Sequence, residues 1–219
     1  MPSIWKKFFA PWRQLAIVSS SPSRDGGCAV WAWNADENQM IRLLDHEGKP
    51  YQHASAFHPG QIWLAQLTAP DRQPDPFAQD RIVLGRQRQA SLPSLKSYLV
   101  PIAPIAQGPP DTLLEGKLQI DRSGKPFVLS SAAPDDMSLL WIAEGASLRL
   151  GRTEKGAPYY EWEGETDLPS WPAAWLAQDE LPERIPSGAL LHLAFDDPWR
   201  PEPEKPARAY LYIRGMIEA

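Results

Sequence analysis

Apolar positions along this chain come in short runs separated by turn residues. The segments QLAIVSSS (14–21), CAVWAW (28–33) and MIRLL (40–44) have the length and the β-branched or aromatic content of strands. NADENQ, between the last two, is a polar turn rich in Asn and Asp. QIWLAQLTA (61–69) and RIVLG (81–85) add two more, with the proline-rich PDRQPDPFAQD between them. Short strands in this number and spacing predict a small closed or nearly closed β-barrel over residues 14–89, preceded by a leader over 1–13.

Residues 90–110, ASLPSLKSYLVPIAPIAQGPP, hold five prolines and no acid, the composition of a linker or extended crossover. A second β-rich unit is expected over 111–219. GKLQI and KPFVLSS flank the hairpin-like turn DRSG, and SLLWIAEGASLRLG and APYYEWEGE follow. SWPAAWLAQDEL (170–181) predicts a helix, with Ser170 as N-cap, Pro172 in the first turn and Trp171 and Trp175 on one face. GALLHLAF and RAYLYIRGMIE alternate as closing strands.

Alternation leaves two choices open. In CAVWAW it puts Ala29, Trp31 and Trp33 on one face and Cys28, Val30 and Ala32 on the other. Both faces are apolar, so the tryptophans either fill the fold or form a ligand platform. In the last strand Ala209, Leu211, Ile213 and Ile217 form an inward row, leaving Tyr210, Tyr212 and Arg214 outward as a stacking or partner surface.

Composition narrows the class. The 219 residues are 43% hydrophobic and 22% charged, which fits a folded globular chain. Twenty-four prolines, about twice the usual share of roughly 5%, keep the elements short. A single cysteine, Cys28, makes no internal disulfide and fits a reducing cytoplasm. No apolar run is long enough to span a bilayer, and Pro11, Trp12 and Arg13 interrupt any signal-peptide core. The leader's Trp5, Phe8, Phe9 and Trp12 among three cations suit packing on its own domain, docking of a protein partner or a membrane surface.

Charge is asymmetric. Residues 1–107 carry 11 Lys and Arg against 8 Asp and Glu, net +3, whereas residues 108–219 carry 11 against 19, net −8. From 81 to 110 the cations Arg81, Arg86, Arg88 and Lys96 meet no acid. A basic strip beside aromatic side chains suits single-stranded nucleic acid, because cations follow phosphates while rings stack on bases. The overall −5 argues against a free-standing non-specific binder and leaves room for a subunit that docks proteins.

Catalytic motifs are thin. His46, His53 and His58 lie near Asp45 and Glu47, but on no helix face. Ser19, Ser20 and Ser21 lack a nucleophile elbow, no phosphate-binding glycine motif occurs, and the adjacent pairs Asp135–Asp136 and Asp196–Asp197 suit solvated turns. The expectation is a non-enzymatic protein with no cofactor and no metal; a hydrolase using the histidine loop is the weakest reading.

The runs SSSPSRDGGCAV, MIRLL, PGQIWLAQL and PDPFAQDRIVL, with the closing LHLAFDDPWRP and AYLYIRGMIEA, resemble the bacterial dual OB-containing domain family over residues 14–219. The chain departs from that pattern in its leader and in lacking a Glu-Asn continuation after the proline-glutamine connection. The resemblance implies a mainly β chain of two small OB-like barrels with one or two short helices. It also implies a nucleic-acid-related or defence-system role, with no catalytic residues. OB folds usually carry ligand across their second and third strands, which here nominates Trp31, Trp33 and Arg42. The leading expectation is therefore a nucleic-acid-binding or adaptor subunit that works through the basic first half. The alternative is a protein-protein scaffold.

Overall fold

Five strands, β1 (Trp12–Pro22), β2 (Cys28–Asn34), β3 (Gln39–Leu44), β4 (Gln61–Thr68) and β5 (Asp80–Ser91), close in the order β1-β2-β3-β5-β4. All neighbouring pairs are antiparallel except β3 with β5. This is the five-stranded Greek-key barrel of the OB fold. The computed structural model describes residues 10–22, 26–53, 56–71, 79–132, 136–145, 147–163, 169–174, 181–200, 202 and 204–217.

Leu15, Ile17, Val30, Ala32, Ile41, Leu43, Ala65, Leu67 and Val83 fill the barrel together with Phe57. Burying each large aliphatic side chain contributes roughly 1.5–3 kcal/mol. Register shifts in β1 after Ile17 and in the β4–β5 ladder supply the extra twist that lets few strands close. The connection from β3 to β4 plugs one end of the barrel. Tyr51 and Phe57 lie 5.1 Å apart by ring centroid, and Phe57 lies 5.1 Å from Trp63. The Cys28 N–H donates to the Tyr51 carbonyl. A Cβ on Gly27 would come within 2.9 Å of that same oxygen, so this approach requires glycine.

The first unit runs to Pro104 and the second covers Ile105–Ile217. The division between the units falls within residues 90–110, the stretch expected as a linker or crossover, and that stretch carries regular structure of its own. β5 extends to Ser91, and helix α1 (Leu95–Leu99) buries Leu95 and Leu99, with Ser94 capping it. The second unit then begins at β6 (Ile105–Gly108).

Its remaining strands are β7 (Gln119–Ile120), β8 (Pro126–Leu129), β9 (Ser138–Ala143), β10 (Leu148–Arg152), β11 (Pro158–Trp162), β12 (Trp171–Pro172), β13 (Arg184–Ile185), β14 (Leu190–Phe195) and β15 (Arg208–Ile217). They form a six-stranded sheet, β6-β9-β14-β15-β8-β7, and a four-stranded sheet, β12-β11-β10-β13. The protein is thus mainly β with short helices; its first unit is a closed barrel and its second an open counterpart. β7 and β8 do pair across the DRSG turn.

The helix expected over 170–181 does not start at Ser170. Trp171 instead pairs with Tyr160 of β11, fully buried and 5.1 Å from Trp141, which also packs on Trp162. Burial of an indole in this aromatic cluster outweighs the local capping signal. Trp175 lies outside the described residues.

His192 of β14 is wholly buried, and its pKa is pushed down to about 3, first by burial and then by the charge of Arg214. The folded protein therefore holds it neutral, while the unfolded chain protonates it near pH 6.5. Stability is full above that pH and falls as pH drops toward 3, by up to about 1.4 kcal/mol per pH unit. Urea unfolding of wild type and His192→Leu between pH 6.5 and 4.5 checks this: the variant should lose most of the slope, and equal slopes would remove the assignment.

Candidate nucleic-acid interface

β5 continues past the core as an exposed polar segment, GRQRQAS, held in register by β4, with Arg88 opposite Trp63 and Arg86 opposite Ala65. Opposed residues share a face, so both arginines project on the side of Trp63 and the barrel plug. The Arg86 guanidinium carbon sits 4.6 Å from the Phe57 ring centroid, 5.6 Å from Trp63 and 5.7 Å from Tyr51. Arg88 donates to the Ser91 hydroxyl at 2.9 Å. Among the described residues neither arginine has a carboxylate partner. Two residues of strand separate them by about 6.7 Å.

Neighbouring groups set this edge. The buried Gln61 side-chain oxygen accepts from Trp63 Nε1 at 2.9 Å and from the His58 N–H at 3.2 Å, which fixes the indole. Tyr51 and Trp63 are half-buried and retain open area beside Arg86. The Tyr51 hydroxyl is pushed up to about 12, chiefly by burial, with the Arg86 charge opposing. It remains a hydrogen-bond donor. On α1, Lys96 is half-buried and likewise has no carboxylate partner among the described residues. Guanidinium N–H edges grip phosphate oxygens, and half-open rings accept bases.

The other nominated residues fall elsewhere. Trp31 and Trp33 are 2% exposed, and both faces of β2 are buried, so the tryptophans are core and offer no stacking platform. Arg42 lies in a bidentate pair with Asp80, Nε to Oδ1 at 2.7 Å and Nη2 to Oδ2 at 2.9 Å. That pair occupies its donors in the interior. Arg81 donates to the Asp80 carbonyl and lies 4.0 Å from Glu37, so its charge is partly compensated.

Of the partner-surface residues, Trp5, Phe8 and Phe9 lie outside the described residues. Trp12 belongs to β1 rather than to a leader and is 47% exposed, over Gly85. Tyr210 donates to Asp121 at 3.2 Å, and Tyr212 lines a cavity of the second unit. Arg214 is not outward. The β14–β15 register skips it, and this bulge turns its side chain inward, 3.0 Å from Asp196.

His46 and Glu47 are 3.9 Å apart and open to solvent, and His53 and His58 are exposed. Among the described residues no three His, Cys, Asp or Glu side chains converge to hold a metal. Sequence reasoning missed the cations Arg122, Lys125, Arg152, Lys205 and Arg208, which gather around the β7–β8 turn. The acidic total of their half concealed them.

No protein-family model and no curated protein matches this chain. Among solved structures it is similar to a murine DNA-binding protein bound with double-stranded DNA, at 11% identity and a TM-score of 0.30, over 95% of this chain and 100% of that one. It is also similar to the tetrameric p202 HIN2, at 9% identity and a TM-score of 0.28, over 93% and 94%. The OB assignment of the first unit stands on its own ladder order.

Proposed function

We propose that this protein binds single-stranded nucleic acid along the β5 edge of its barrel. Arg86 and Arg88 engage phosphates, Lys96 adds a third contact, and Trp63 and Tyr51 receive a base. The observation that carries this reading is the pair of exposed guanidinium groups without carboxylate partners among the described residues, one anchored on three rings. The net charge of −5 favours a subunit that borrows affinity from other contacts. The resemblance to the bacterial dual OB-containing domain family supports extending this to an adaptor within a bacterial cytoplasmic complex, a defence system among the settings. Titration of fluorescent single-stranded DNA and RNA at low salt tests it: saturable binding is expected, and none would reject it.

A protein-docking scaffold is the second reading. Exposed Trp12 on β1, and Val100 and Ile102 after α1, favour it, because large apolar side chains in water mark interfaces more often than phosphate grooves. Partner capture that survives Arg86→Glu with Arg88→Glu, without any nucleic-acid binding, would favour this reading.

A further inference from the structure

The second unit holds a cavity of about 440 Å³ beside the β7–β8 turn, lined by Ile120, Asp121, Arg122, Ser123, Phe127, Lys205 and Arg208. That is the size of a small-ligand site, roughly 300–1,000 Å³. Its lining combines the cations Arg122, Lys205 and Arg208 with the apolar side chains of Ile120 and Phe127. We propose that this pocket binds the phosphate ester of a nucleotide, with Arg122, Lys205 and Arg208 on the phosphate and Ile120 and the Arg208 guanidinium against the base.

Three observations carry it. Among the described residues Arg208 is held by a ring and not by an acid: its guanidinium carbon lies 4.6 Å from the Phe127 centroid, and its Nε is out of solvent without a hydrogen-bond partner. The ring orients the guanidinium and leaves its outer N–H groups uncommitted, and a guanidinium plane also stacks on bases.

Among the described residues one carboxylate lies in the lining, and it is already occupied. Asp121 Oδ1 accepts from Ser123 N at 2.8 Å, Ser123 Oγ at 2.7 Å and Lys125 N at 3.0 Å, and Oδ2 accepts from Tyr210 at 3.2 Å. Burial raises its pKa, but these hydrogen bonds outweigh burial and leave it lowered. Its charge serves the turn.

The remaining cations are accessible. Arg122 is exposed, with no carboxylate partner among the described residues. Lys205 holds Glu202 at 2.6 Å with both side chains more than half open to water, a pair that a phosphate can displace. Ile120 stands 47% exposed in the same wall, an apolar surface suited to a base.

Calorimetric titration of the full chain with adenosine 5′-monophosphate, adenosine and inorganic phosphate tests the pocket. The Arg86→Glu, Arg88→Glu variant is titrated with a short oligothymidine, with and without a 5′-phosphate, so that the β5 edge does not contribute. The monophosphate should bind at least 10-fold more tightly than adenosine or phosphate alone, and Arg122→Glu with Lys205→Glu should weaken it at least 10-fold. Binding of the monophosphate without the phosphorylated oligomer identifies a free nucleotide as ligand, and equal affinity for both identifies the phosphorylated nucleotide in either setting. Binding of the phosphorylated oligomer alone identifies a strand end. Absence of saturable binding to both, or binding unchanged by the two surface substitutions, would overturn the proposal. The β5-edge reading is untouched by either result.

Discussion

Asp80→Ala is expected to destabilise the protein by about 3–5 kcal/mol, the usual cost of breaking a buried ion pair by removing one partner. Arg42 and Asp80 stand opposite one another in the parallel β3–β5 ladder, with side chains only 14% and 8% exposed. Both carboxylate oxygens are engaged, at 2.7 and 2.9 Å. Removing the acid breaks both of these bonds in the seam that closes the barrel. Urea unfolding should show a lower midpoint at unchanged slope. Replacing both residues by apolar ones, Arg42→Met with Asp80→Leu, should recover most of the loss, because the desolvation cost then disappears with the pair. By contrast, Glu37→Ala at the exposed contact with Arg81 should cost no more than about 1 kcal/mol. A loss below about 1 kcal/mol for Asp80→Ala would show that the pair does not hold the seam.

Arg86→Glu with Arg88→Glu should weaken single-strand binding about 100-fold or more at low salt. Hydrogen bonds to charged groups are worth about 1.5–3 kcal/mol each, and reversing the sign adds repulsion of phosphate. Losing Arg86 from above the Phe57, Trp63 and Tyr51 rings also forfeits a cation–π contact worth about 0.5–1 kcal/mol at an exposed site. The variant should therefore remain folded, which unfolding curves verify independently. Arg42→Met with Asp80→Leu, in contrast, should leave binding close to wild type, since Arg42 points its donors at Asp80.

Strands whose residues face a core were legible, because burial imposes an apolar run. QLAIVSSS, CAVWAW and MIRLL lie within β1, β2 and β3. β5 was legible only over its buried start. Its exposed end, RQRQAS, faces water and shows no apolar alternation, and its pairing comes from β4. The short helix at Leu95–Leu99 was hidden among prolines that sit at its boundaries. The tryptophans of β2 show the limit of alternation: when both faces are buried, as they are for Trp31 and Trp33, periodicity does not separate core from ligand face. Arg214 failed for a related reason, since a bulge changes the direction of side chains without leaving a mark in residue types.

At the candidate interface, the acid-free strip nominated Arg81, Arg86, Arg88 and Lys96; among the described residues the last three have no carboxylate partner, whereas Arg81 lies near Glu37. Local composition does not see an acid brought in from another strand. The same blindness hid the Arg122, Lys205 and Arg208 cluster, drawn together from the β7–β8 turn and the start of β15.

The central claim is that the β5 edge binds phosphates, and the salt dependence of binding to one single-stranded oligonucleotide measures it directly. At about −0.7 per contact, three contacts predict a slope of log affinity against log salt near −2 for wild type, shallower by about 1.4 for Arg86→Glu with Arg88→Glu. No wild-type binding at low salt, or the same slope in both proteins, would contradict it.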